Sequence, residues 1–279
     1  MSNKELINVN ELMDIINEEN LKIIDCRFDL KNKTYGRDKF LEGHIPGAIF
    51  LNIEEELSGP VEVHGGRHPL PKVEHIHKIL QQKGISIEDK IVIYDDGDFS
   101  GAGRARLILK YLGFKNIYIL DGGFDFYKNA IGVISMNNGD YTNSSFDIKL
   151  DNSIFVDMEY VKKSLGDERI AIIDSREPDR YRGIVEPVDI KKGHIPGALN
   201  YFWLDVIDKN TKLMKSKDEL EQHFKNLRDF DEVIIYCGSG ITASVNSLAM
   251  DIIGLEHKVY AGSFSDWISY NDNKIDSNI

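Results

Sequence analysis

Cys237 is the residue in this chain best placed to do chemistry. It follows the apolar run Val233-Ile-Ile-Tyr236 and opens the loop Cys237-Gly-Ser-Gly-Ile-Thr-Ala243. The run suits a buried strand and Thr242–Ile253 suits a helix. The thiol therefore falls at the carboxyl end of a strand, where open α/β sheets gather ligands. Gly238 and Gly240 let the backbone curl so that N–H groups from Gly238 through Ile241 to Thr242 face one sulfur. Those donors and the positive end of the helix favour a thiolate, and would equally favour a negatively charged persulfide. A nucleophile is expected here, because a buried structural cysteine needs neither the glycines nor the helix start. Ser239 has two readings: a hydroxyl that bonds the sulfur or relays a proton, or a plain turn residue between glycines.

The elements that must hold this loop are written twice. Gly43-His-Ile-Pro-Gly-Ala48 recurs as Gly193-His-Ile-Pro-Gly-Ala198, Ile23-Ile-Asp-Cys-Arg27 as Ile172-Ile-Asp-Ser-Arg176, and Ile91-Val-Ile-Tyr-Asp95 as Val233-Ile-Ile-Tyr-Cys237. Leu120-Asp-Gly-Gly-Phe124 likewise resembles Tyr260-Ala-Gly-Ser-Phe264. Four matches in one order mark a tandem duplication. Each half predicts a short helix first, over Leu12–Ile16 behind Asn8 or Asn10 as N-cap, and over Asp157–Leu165. Next come an apolar strand ending in Asp-(Cys/Ser)-Arg, a Pro-containing turn, and a second strand feeding a helix (Arg104–Leu112 or Thr242–Ile253). That alternation predicts an α/β fold, each half a largely parallel sheet flanked by helices. The expected division is residues 1–134, a polar aperiodic linker over 135–152, and residues 153–279.

Composition narrows the partners. Lys and Arg number 34 against 46 Asp and Glu, a net charge of −12, which argues against nucleic acid and anionic membranes as partners. Two cysteines exclude a disulfide scaffold and a four-cysteine zinc site. The N-terminal residues lack the apolar core of a signal peptide, and no stretch approaches the roughly 18–20 apolar residues of a membrane span. A cytoplasmic protein with reduced thiols is expected.

The paired turns and the cysteine loop resemble the rhodanese superfamily, specifically its tandem-domain sulfurtransferases, over almost the whole chain. The resemblance implies two rhodanese-like domains, an active C-terminal one with Cys237 and a catalytically silent N-terminal copy. In the first half the position of Cys237 is held by Asp95, which agrees. Within the family the loop Cys-Gly-Ser-Gly-Ile-Thr-Ala looks like that of 3-mercaptopyruvate sulfurtransferases, whereas thiosulfate sulfurtransferases more often carry Cys-Arg-Lys-Gly. The family's first substrate arginine maps onto Arg180, whose guanidinium suits a carboxylate. A second arginine, usual after Glu-Pro, is missing: Glu186-Pro187 is followed by Val188-Asp189, leaving Arg182, Lys191 or Lys192 to compensate. The implied chemistry is transfer of a sulfur atom from a small anionic donor through Cys237 to a thiol, thioredoxin or cyanide, without cofactor or metal.

Other classes fit less well. Related folds that hydrolyse phosphate esters use Cys-x5-Arg, but here Ala243 stands at the arginine position. A thiosulfate sulfurtransferase is the second reading, motivated by the missing arginine, and a non-enzymatic persulfide carrier the third. His44 and His194 occur in both halves, which favours a structural role, as it does for the repeated pairs Asp25/Arg27 and Asp174/Arg176. Cys26 is matched by Ser175 and reads as packing. The stretch Val63-His-Gly-Gly-Arg-His-Pro-Leu-Pro71 holds His64, Arg67 and His68, a long loop that the family resemblance sets near the active site. With His75 and His77 nearby it lacks the cysteine or carboxylate spacing of a metal site.

Overall fold

Apolar runs bounded by turn residues become short parallel strands in the computed structural model, which describes residues 4–137, 139 and 141–277. Leu6–Ile7 (β1), Leu21–Asp25 (β2), Ile49–Phe50 (β3), Lys90–Tyr94 (β4) and Ile117–Leu120 (β5) form one sheet in the order β1-β5-β4-β2-β3. Phe155–Val156 (β6), Ile170–Asp174 (β7), Leu199–Asn200 (β8), Glu232–Tyr236 (β9) and Lys258–Tyr260 (β10) form a second sheet in the equivalent order β6-β10-β9-β7-β8. All pairings are parallel. The fold is α/β, as the alternation of strand and helix patterns predicts.

Packing divides the chain into two units. Unit 1 comprises Met1–Gly59, Pro71–Asn152 and Lys209–Met214; unit 2 comprises Pro60–Leu70, Ser153–Asp208 and Lys215–Ile279. In unit 1 the sheet is flanked by helices Val9–Ile15 (α1), Tyr35–Glu42 (α2), Val73–Gln82 (α3), Ser100–Tyr111 (α4) and Gly123–Ile131 (α5). Unit 2 carries Met158–Ser164 (α6), Pro178–Arg182 (α7), Lys217–Phe224 (α8), Ala243–Ile252 (α9) and Ser263–Trp267 (α10). Residues 135–152 run along unit 1, where Ser144 N–H donates to Gln81, Asp151 N–H donates to Tyr111, and Phe146 is buried. Asn138 and Asp140 of that stretch lie outside the described residues.

Local chemistry explains the helix starts. Asn8 caps α1 in a reciprocal box with Glu11, and the Asp157 carboxylate caps α6 at Tyr160 N–H, each satisfying donors that a helix end leaves open. The helix expected from Arg104 begins a turn earlier, at Ser100. Acidic side chains extend it: Asp98 accepts from Ser100 N–H (2.9 Å) and Asp95 from Ala102 N–H (3.0 Å).

The repeated residues prove to be scaffold. At the end of β7, Asp174 and Tyr236 lie side by side in register, as Asp25 and Tyr94 do in unit 1. Arg176 grips Asp174 through Nε and Nη2 and donates to the Gly193 carbonyl at 2.6 Å. Arg27 does the same with Asp25 and Gly43, and each guanidinium stacks on a phenylalanine, Phe264 or Phe124. The tyrosine hydroxyls receive Ile195 and Ile45 N–H. The Gly-His-Ile-Pro-Gly-Ala turn is thus clamped to the strand ends. Its histidines stack on Phe40 or Tyr181 and bond those residues' carbonyls, each at 2.7 Å. Breaking one partner of such a buried ion pair costs about 3–5 kcal/mol. Phe264 and Trp267 lie in the unit 2 core.

Candidate active site

β9 is flanked by β10 and β7 within its sheet, and Cys237 follows it directly, 1 % exposed. Gly240 turns the loop at φ +80°, and a Cβ there would lie 2.1 Å from the Ala261 carbonyl oxygen. Only glycine fits both the backbone angle and the space. This turn aims Gly240 N–H at Cys237 Sγ, 3.1 Å away. Thr242 stands at the N-cap of α9, and Ile241 before it is buried.

A second group approaches the sulfur from the start of α10. Ser263 Oγ accepts from Cys237 N–H at 3.1 Å and lies 3.9 Å from Sγ. Ser263 holds φ at 59°, a left-handed conformation that costs a non-glycine residue of order 1 kcal/mol. The matching position in unit 1 is Gly123, at φ +63°. The half that carries the cysteine thus bears backbone strain where its copy avoids it, and gains a hydroxyl beside the sulfur.

The Pro60–Leu70 segment supplies the groups that sequence reasoning left without roles. Gly65 N–H donates to Asp266 (2.7 Å), Arg67 N–H to Ser265 (3.1 Å), and His64 bonds Ser269 and stacks on Tyr270. So anchored, the segment sets His68 Nδ1 2.8 Å from Ser239 Oγ, both residues buried. Ser239 therefore does more than occupy a turn: it is half of a hydroxyl–imidazole pair. No group of three or more His, Cys, Asp or Glu suited to a metal occurs among the described residues.

Arg180 lies on α7, and its guanidinium reaches the loop: Nη2 is 3.5 Å from the position of a Cβ on Gly238. Glu186 fixes its orientation, accepting from Nε (3.1 Å) and Nη2 (2.7 Å). The same carboxylate receives Val188 and Asp189 N–H and Arg176 Nη1. Burial works against its charge, but these donors prevail and hold Glu186 below the usual carboxylate range. Arg182, on the same short helix, faces Asp179 with 48 % of its side chain exposed, and Lys192 bonds the Ile184 carbonyl. The cation that the fold brings beside Gly238, in addition to Arg180, is Arg67: its Nη2 lies 3.0 Å from that Cβ position. Arg67 pairs with Asp189, which also accepts from Arg180 Nη2 at 3.1 Å.

The equivalent loop of unit 1 holds Asp95 in place of a thiol. Its carboxylate accepts from Gly97 (2.9 Å), Phe99 (3.3 Å) and Ala102 (3.0 Å) N–H. Nearby Cys26 is fully buried, and burial followed by the Asp25 and Asp95 charges pushes its thiol well up, the state of an inert packing group. Burial likewise pushes Asp95 up to about 7 and Asp96 up to about 6. Both bind a proton more tightly folded than unfolded. Their stabilising contribution is complete below about pH 4 and is lost as the pH rises through 6 to 7. Thermal unfolding between pH 5 and 8 should show stability falling with pH, with a shallower slope in Asp95→Asn. An unchanged slope in the variant would contradict this assignment.

Duplicated parallel sheets, each with a strand-end loop opening a helix, one loop bearing a thiol, define the class. The chain belongs to the Rhodanese-like domain family, whose model matches residues 8–130 and 157–270. Among its relatives, a Pseudomonas aeruginosa protein named "Probable 3-mercaptopyruvate sulfurtransferase" is 36% identical over 275 residues, 96% of either chain. The thiosulfate sulfurtransferase of Gallus gallus is 29% identical, over 88% of this chain and 86% of its own. The crystal structure of the 3-mercaptopyruvate sulfotransferase SseA from Escherichia coli superposes with a TM-score of 0.81 at 26% identity, covering 94% of this chain and 99% of that one.

Proposed function

We propose that this protein is a 3-mercaptopyruvate sulfurtransferase that works through a persulfide on Cys237. The observation that carries the reading is the Cys237 thiol at the end of β9, with Gly240 N–H on its sulfur and the Ser239–His68 pair in the same loop environment. Sulfur transfer is also the common ground of the relatives' names.

In the first step the Cys237 thiolate attacks the donor's sulfur. A Sγ–S bond forms, the donor's carbon–sulfur bond breaks, and its electron pair leaves as the enolate of pyruvate. The enolate then takes up a proton and departs as pyruvate. Ser239 hands a proton toward that enolate and His68 Nδ1 supplies its replacement. Arg180 holds the donor carboxylate, and Gly240 N–H, in the turn it shares with Gly238, Ile241 and Thr242, steadies the negative charge on Sγ before that charge passes to the departing enolate. A thiolate acceptor such as reduced thioredoxin, or cyanide, attacks the outer sulfur and releases Cys237 as thiolate. This chemistry needs a reduced thiol, which suits a cytoplasmic setting. Among the described residues no helix is long and apolar enough to cross a membrane.

Charge favours the monocarboxylate donor. Arg67 and Arg180 beside the loop are opposed by Glu186 and Asp189, which leaves no surplus positive charge for dianionic thiosulfate. Pyruvate release from mercaptopyruvate, compared with thiocyanate formation from thiosulfate and cyanide, tests the reading. A higher kcat/KM for mercaptopyruvate is expected. The reverse preference would make the protein a thiosulfate sulfurtransferase with the same nucleophile, and neither activity would remove the reading.

A further inference from the structure

Asp189 has an unusual position for a carboxylate near a site that receives carboxylates. Its side chain is 2 % exposed, and its two oxygens are divided between two guanidiniums: Arg67 Nη1 bonds Oδ1 and Arg180 Nη2 bonds Oδ2. Both arginines present a nitrogen toward Gly238, the neighbour of the nucleophile, at 3.0 and 3.5 Å from where a Cβ would stand. Any side chain at 238 would enter that space. Burial, the largest influence on Asp189, raises its carboxyl in spite of Arg67, so this carboxylate is held less firmly as an anion than its two partners alone would make it.

We infer that Arg67 and Arg180 form a two-guanidinium seat for the donor's carboxylate, and that Asp189 occupies that seat in the resting protein and is displaced by the donor. The inference rests on the sulfurtransferase reading for the identity of the donor, but the seat itself is a property of the geometry. It accounts for the absent arginine at Val188: the second cation comes from the Pro60–Leu70 segment instead of the loop after Glu186. It also makes the seat selective. A single carboxylate replaces what Asp189 withdraws, charge for charge, whereas a dianion leaves one charge uncompensated. Arg67 and Asp189 are then specificity residues. One binds the donor and the other competes with it.

Alkylation of Cys237 tests this without sulfur transfer. Iodoacetate carries a carboxylate and iodoacetamide does not, so the ratio of their rates, read by mass spectrometry at the Cys237 peptide, reports the seat. Losing one charge-assisted contact, Arg67→Gln should lower the ratio about tenfold, and Arg67→Lys should restore part of it. Emptying the seat, Asp189→Asn should raise the ratio by a similar factor and lower KM for mercaptopyruvate more than it changes kcat. A ratio that stays constant in Arg67→Gln and Asp189→Asn, or falls in Asp189→Asn, overturns the inference even if mercaptopyruvate is turned over. A ratio that moves as stated in a protein without turnover upholds the seat and removes the sulfurtransferase reading.

Discussion

Replacing Cys237 by serine is expected to lower sulfur transfer by about 10⁴-fold or more, the scale on which removing a covalent nucleophile acts. The substitution exchanges one chalcogen for a smaller one, and its surroundings can accept it. Gly240 N–H still finds an acceptor at that position, and Ser263 still receives the 237 N–H. The fold should survive, as an unchanged circular dichroism spectrum and melting temperature would confirm. What is lost is the thiolate, because a serine hydroxyl is not ionised near neutral pH and forms no persulfide. The other thiol cannot substitute for it, since Cys26 is sealed in unit 1 with its thiol pushed up by burial. Pyruvate release from mercaptopyruvate is the measurement. Residual turnover above about one per cent of wild type would remove Cys237 from its role.

The next largest effect is expected at His68. Its imidazole meets Ser239 Oγ at 2.8 Å, and losing a positioned proton donor typically costs about 10²–10³-fold in rate. His68→Ala should lower kcat by that amount while KM changes little. Ser239→Ala should do the same. Two groups that act as one relay are non-additive, so the double variant should be scarcely worse than either single one. Multiplying losses in the double variant would show that the two side chains act separately, and the relay would have to be abandoned.

The parts of this molecule legible in the sequence are those written locally and written twice. Strand ends, the Asp-Arg pairs and the cysteine loop each fit within a few residues, and duplication exposed their common frame. Short elements escaped for physical reasons. α7 spans five residues, Pro178–Arg182, with none of them buried, and β3 and β8 span two each, too brief for any period to show. The family resemblance sets the Pro60–Leu70 segment near the active site, but the partners of its side chains are not legible. His68 meets Ser239 across 171 positions and Arg67 meets Asp189 across 122, so neither spacing carries a local signal. The sequence offers cations near Val188 at Arg182, Lys191 and Lys192, whereas the fold supplies Arg67 from far upstream. A clue did exist in Gly65-Gly66 beside the histidines: Gly66 sits at φ +81° with its would-be Cβ 2.4 Å from the Gly262 carbonyl. A chain that needs such close backbone approach is docked, not dangling.

The Asp95 loop has one more consequence. A carboxylate oxygen stands two bonds from Cβ, as does the outer sulfur of a persulfide, whereas a thiolate sulfur stands one. Asp95 Oδ1 meets Gly97 and Phe99 N–H and its Oδ2 meets Ala102 N–H. The left-handed residues Phe99 and Gly240 match in the two loops, as do the helix-ending glycines Gly113 and Gly254, so Phe99 N–H takes in unit 1 the place of the Gly240 N–H that faces Sγ in unit 2. The silent loop thus keeps an oxygen acceptor at the longer reach, where the proposed mechanism places the outer sulfur once per turnover.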